Sequence, residues 1–121
     1  MSAPFFDTNI VIDWLVDRPG ARQELARYNG HRLSRIAWTE VLAGEPPATR
    51  PKVQALLLPF QVVEVDGQVA SMAADIRHRT RMKLLDALIL ATARVHDAIL
   101  ITRNTKDFPV AMPGIRVPYT L

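Results

Sequence analysis

The stretch RMKLLDALILATARVHDAILITRNTKDF, residues 81–108, constrains this chain more than any other. It reads as an apolar helix, a short turn, a buried strand over Ala98–Ile101 and a polar loop. A helix as apolar as the run from Ala87 to Ala91 has to lie against a sheet. Asp86 is a lone carboxylate at its start, and an acid is seldom buried without a partner. A place at the helix N-terminus lets the peptide dipoles favour its charge. The strand then delivers Thr102, Asn104 and Asp107 to one edge of the fold.

The remainder alternates in the same way. Ala3–Phe6 reads as a strand ending at Asp7, followed by a helix capped by Thr8 or Asn9, with Ile10, Val11, Trp14 and Leu15 at helical spacing and Pro19-Gly20 as its stop. Arg22–Tyr28 is predicted helical, Leu33–Ala37 a strand, and Thr39–Ala43 a helix with Glu40 in its first turn. Glu45–Pro51 is predicted as a loop, Val53–Leu58 as a helix and Phe60–Val65 as a strand. Asp66-Gly67 turns into an amphipathic helix through Val69, Met72, Ala73 and Ile76, and Arg116-Val117 is a last edge strand. Alternation of this kind predicts an α/β fold with a central, mostly parallel sheet covered on both faces. Its length of 121 residues suits a single domain over residues 1–121.

In such sheets ligands bind beyond the carboxyl ends of the strands. Asp7, Glu40 and Asn104 follow the first, second and fourth strands, and Asp86 opens the helix before the fourth. Taken singly, each has an ordinary role: Asp7 as a helix cap, Glu40 as a dipole partner, Asn104 and Asp107 as turn and cap residues. Together they bring carboxylates to one edge. Unit charges about 4 Å apart repel by roughly 4 kcal/mol at an effective dielectric near 20, so three such acids require a cation or a proton. Oxygen ligands suit Mg²⁺ or Mn²⁺, one or two ions, and that chemistry suits phosphate esters.

These blocks resemble one family. FFDTNIVIDWL, IAWTEVLAG and KLLDALILATARVHDAILITRNTKDF match, in order and spacing, the motifs of PIN-domain proteins, and the short TRNTKDF ending is most similar to VapC-type toxins of type II toxin–antitoxin pairs. The resemblance implies a three-layer α/β/α sandwich and a Mg²⁺- or Mn²⁺-dependent endoribonuclease that cuts structured RNA, tRNA or rRNA, with metal-activated water. It also implies a homodimer and a VapB-like antitoxin. Asp7, Glu40 and Asp86 correspond to the family's metal-binding acids. Many members carry a fourth acid where this chain has Asn104, so a supporting role falls to Asn104 or to Asp107.

Thr102 and Asn9 are candidates for orienting carboxylates or fixing the loop around Asp7. Arg81, Lys83 and Arg103 are candidates for phosphate contacts. Trp14 and Trp38 read as core or dimer interface, and His31, His78 and His96 lack metal spacing and are assigned nothing. A formal charge of +3 and a pI near 9.8 fit a polyanionic partner without establishing one. The chain has no cysteine, no apolar run of membrane-spanning length and no signal-peptide pattern at its start, from which a cytoplasmic protein is expected. The residues leave open a PIN nuclease of RNA processing without a toxin role, and a catalytically weak PIN domain that binds RNA or protein. A phosphoacceptor domain would need an acid ending a central strand near mid-chain, and Asp66 lies instead in an Asp-Gly turn.

Overall fold

The computed structural model describes residues 3–121. Five short strands, β1 (Phe5–Phe6), β2 (Arg32–Ser34), β3 (Gln61–Val63), β4 (Leu100–Ile101) and β5 (Ile115–Arg116), form one sheet in the order β3-β2-β1-β4-β5. Every described pairing is parallel. Six helices flank the sheet: α1 (Thr8–Leu15), α2 (Pro19–Ala26), α3 (Arg35–Ala43), α4 (Arg50–Leu56), α5 (Gly67–Thr80) and α6 (Leu84–Val95). This is the expected α/β sandwich.

The strands are too short to hold themselves; side chains packed between layers hold them. Phe5, Phe6, Leu33, Leu100 and Ile101 are fully buried in the sheet, and Ile89 and Leu90 bring the apolar face of α6 onto the same core. Each such side chain contributes about 1.5–3 kcal/mol relative to exposure. From β1 the chain runs outward to β2 and β3, then returns to the opposite side of β1 as β4. The order therefore reverses between β1 and β4, and a crevice opens there. Asp7 leaves β1 at this point with its N–H donated to the Ile101 carbonyl at 2.8 Å.

Several boundaries differ from the sequence expectation, each for a local reason. The second strand stops at Ser34 instead of running to Ala37, because the buried Ser34 hydroxyl accepts the Ala37 N–H at 3.0 Å and starts α3 there. Glu40 therefore lies in the middle of α3, not in its first turn. Pro19 does not merely stop α1; it opens α2, where its missing N–H costs nothing. Pro51 likewise sits in the first turn of α4, so the predicted Glu45–Pro51 loop ends earlier. Asp66 caps α5 by accepting the Val69 N–H at 2.9 Å. The edge strand is Ile115–Arg116, one residue before the expected pair. Among the described residues, no helix is long and apolar enough to cross a membrane.

Candidate active site

A cleft of about 460 Å³ opens at the reversal point. Asp7, Glu40, Asp86, Asn104, Asp107 and Lys83 line it, and Ile12, Leu84 and Leu85 form an apolar rim. The four acids come from three helix starts or faces and one loop, as the topology requires.

Asp7 is the deepest, 4% exposed at the N-cap of α1. Its Oδ1 accepts the Thr8 N–H at 2.8 Å and its Oδ2 accepts the Thr102 hydroxyl at 2.7 Å. Burial pushes its pKa above the ordinary value; the bonds from Thr102 and Thr8 oppose that, and the charges of Glu40 and Asp107 add to it. Glu40 is held from the same helix start: the Thr8 hydroxyl donates to its Oε1 at 2.7 Å. Asp86 lies in the first turn of α6, as expected. Its pKa is pushed up to about 6, first by burial and then by Asp107, Asp7 and Glu40, with Lys83 opposing. These carboxylates feel one another, yet among the described residues no three of them close into a ready-made cation cage.

The loop after β4 is organised around Thr102 and Asn104. Thr102 is fully buried; its hydroxyl accepts the Asn104 N–H at 3.0 Å while donating to Asp7. Asn104 spends both amide atoms on one neighbour. Its Oδ1 accepts the Asp107 N–H at 3.2 Å, and its Nδ2 donates to Asp107 Oδ2 at 2.9 Å. The backbone donor fixes which way the amide points. The bond from Asn104 holds the Asp107 carboxyl below the usual range, helped by Lys83 and Lys106. Asp107 thus lines the cleft, its carboxylate bonded by Asn104 and facing Lys83.

Of the three expected phosphate contacts, Lys83 lines the cleft, 3.7 Å from Asp107. Arg81 ends α5 in a left-handed conformation, its carbonyl bonded by Arg77. Arg103 departs from the expectation: its guanidinium turns to the buried Asp13, with Nε–Oδ2 at 2.6 Å and Nη2–Oδ1 at 3.0 Å. A fork committed to a buried carboxylate is not free for phosphate. Asn9 accepts the Arg103 N–H in a long contact of 3.4 Å, so it braces this loop. Trp14 packs edge-on against Phe60 with centroids 5.4 Å apart, and Trp38 lies under Arg35 at the core margin. His31 and His96 bond the carbonyls of Leu25 and Thr92, away from the cleft.

Sequence reading missed Thr8, which ties Glu40 to the Asp7 turn, and Asp13. The signal for Asp13 was present: an acid inside the run IVIDWL has to find a partner.

A parallel sheet with clustered acids at its reversal point defines a class, and the chain belongs to the PIN-domain family, which matches residues 5–111. Within that family it is of the VapC type. It is similar to Ribonuclease VapC10 of Mycobacterium tuberculosis, 34% identical over 118 residues, which cover 86% of this chain and 83% of the relative. Ribonuclease VapC19 of the same organism is 31% identical over 122 residues, covering 93% and 97%. Among solved structures, a toxin–antitoxin complex from Klebsiella pneumoniae contains a chain that superposes with a TM-score of 0.90 at 36% identity, covering 98% of this chain and 100% of that one.

Proposed function

We propose that this chain is a divalent-metal-dependent endoribonuclease, the toxin of a VapBC-like pair, acting in the cytoplasm on structured RNA such as tRNA or rRNA. Its partners in this reading are a VapB-like antitoxin and a second copy of itself. The observation that carries the activity is the convergence of Asp7, Glu40, Asp86 and Asp107 on one cleft, in a chain whose curated relatives are named ribonucleases.

The donor set fits Mg²⁺ or Mn²⁺: it is all oxygen and anionic, and after burial, the larger cause, the neighbouring acids also push the Asp86 and Asp7 pKa values up. Asp7, Glu40 and Asp86 would hold the ion, with Asp107 as the fourth acid. When bound, such an ion supplies an activated water and neutralises charge on the phosphate. The protein does the orienting. Thr102 and Thr8 aim Asp7 and Glu40, Asn104 aims Asp107, and Lys83 waits at the mouth for a backbone phosphate. Ile12, Leu84 and Leu85, all between 43% and 55% exposed, offer an apolar rim to sugar and base or to the antitoxin.

The first test is incubation of total bacterial RNA with purified protein in Mg²⁺, Mn²⁺ or EDTA, with fragment ends mapped by sequencing. Discrete cuts in metal, absent in EDTA, are expected; RNA bound but intact in Mn²⁺ would favour a binding module. A second test concerns the fourth acid. Asp107→Asn should raise the half-activating Mn²⁺ concentration about 10–100-fold, the usual range for a lost group at a metal site, and Asn104→Ala should raise it less. The reverse ranking would make Asn104 itself the ligand.

A further inference from the structure

The C-terminal tail reaches the same acid that holds the active-site loop. Asp13 is 2% exposed on α1, in the helix that Asp7 caps. Four donors surround its carboxylate. Oδ2 takes Arg103 Nε at 2.6 Å and the Tyr119 hydroxyl at 2.7 Å. Oδ1 takes Arg103 Nη2 at 3.0 Å and faces Arg18 Nε at 3.3 Å. Arg18 and Arg103 thus share one carboxylate. Arg18 is half exposed and approaches from solvent; Arg103 comes from the loop that carries Thr102, Asn104 and Asp107.

Tyr119 adds a third group to that carboxylate. Its hydroxyl shares the oxygen that Arg103 Nε uses, so the carboxylate is pinned in the orientation that serves the loop. The tail that presents Tyr119 is anchored independently: β5 pairs with β4, and Arg116 forms its own fork on the buried Glu24 at 2.6 and 3.1 Å. The ring is seated on Gly20, where an added Cβ would come within 2.9 Å of Tyr119 Cγ. A rigid anchor, a shared oxygen and a second arginine on the solvent side together make a lock. The loop needs one: between Thr102 and the buried Phe108 it forms neither strand nor helix.

We propose that Tyr119 is a positioning residue for the cleft, its hydroxyl holding Asp13 on Arg103 in preference to Arg18 and so keeping Asn104 and Asp107 at the carboxylates. Its effect on metal binding rests on the nuclease reading; its effect on the loop does not. Tyr119→Phe keeps the ring on Gly20 and removes only the hydroxyl. In that variant, amide exchange over residues 103–107 should accelerate about tenfold while the core strands stay unchanged. Mn²⁺ binding measured by calorimetry should weaken about 5-fold. Adding Arg18→Ala removes that alternative partner and should restore both. Gly20→Ala, which displaces the ring from a helix position that otherwise favours Ala, should reproduce the loop effect. Unchanged loop exchange in Tyr119→Phe, or an additive loss with Arg18→Ala where rescue is expected, would overturn the lock. Unchanged Mn²⁺ affinity in a variant whose parent binds the ion would overturn its role at the cleft. If the parent neither binds Mn²⁺ nor cuts RNA, the nuclease reading fails, and loop exchange and the Arg18→Ala rescue still decide the lock.

Discussion

Asp86→Asn is expected to lower RNA cleavage at least about 100-fold, above the range seen when only a supporting group at a metal site is lost. In the same variant the metal-free protein should become more stable at pH 7. The side chains are nearly isosteric, so packing against α6 survives and only charge is lost. Asp86 titrates near 6 in the fold against an ordinary 3.8. Between those values the folded state binds more protons than the unfolded one, so stability is greatest below about pH 4 for this group and declines as pH rises through about 6. At neutral pH the ionised Asp86 is a net cost. A shift of that size corresponds to roughly 3 kcal/mol at full strength, but the carboxyl is only half buried, and solvent screening reduces the expected gain to about 1 kcal/mol.

A bound cation would reverse the sign. Mn²⁺ at about 100 times its dissociation constant would stabilise the wild type by about 2.7 kcal/mol. Asp86→Asn should gain little. Thermal unfolding of both proteins at pH 5 and pH 7, with and without Mn²⁺, separates these contributions. Loss of stability in metal-free Asp86→Asn would mean that the carboxylate is held for structure. Full cleavage by the variant would remove Asp86 from the site. The pairing of lost activity with gained stability is the signature of an acid placed for a ligand instead of for the fold.

How much of this was legible in the sequence follows from which interactions are local. Strand–helix alternation, the apolar face of α6 and the acids at strand ends all have short-range signatures, so the sheet class and the membership of the cleft could be read. Boundaries were less legible where one side chain outvotes a pattern. Leu33, Arg35 and Ala37 alternate like a strand, but the Ser34 hydroxyl starts a helix in their midst. The pairings least accessible were those separated by most of the chain. Asp13 meets Arg103 and Tyr119 across gaps of 90 and 106 residues. A sequence announces that Asp13 needs partners; only the fold names them. Arg103 shows the converse error, since a basic residue beside an acidic cleft invites assignment to phosphate until its buried partner is known.

Asp13→Ala is expected to bring a large loss of stability. With Asp13 gone, the Arg103 guanidinium, whose side chain is only 28% exposed, keeps its charge in a crevice without its carboxylate, and the Tyr119 hydroxyl loses its acceptor. Breaking a buried pair from one side costs about 3–5 kcal/mol. Against a total of about 5–15 kcal/mol for a domain, that is enough to shift the urea midpoint substantially. The pH dependence carries the opposite sign to that of Asp86. Burial alone would raise the Asp13 pKa, but bonds from Arg103 and Tyr119 and the charges of Arg103 and Arg18 outweigh it and hold the group below its ordinary value. Its contribution is therefore present above about pH 4, near the unfolded pKa of an aspartate, and is lost as pH falls through the lower folded value. Wild type should lose this stabilisation in acid, whereas Asp13→Ala should show a flatter acid limb. Replacing the buried set, Asp13→Leu with Arg103→Met and Tyr119→Phe, should recover much of the loss, because apolar groups of similar volume leave no charge unpaired inside the fold and the half-exposed Arg18 can turn to solvent. A triple variant that stays as unstable as Asp13→Ala would mean that Asp13 supports the fold through packing of α1, and that its ion pair contributes little.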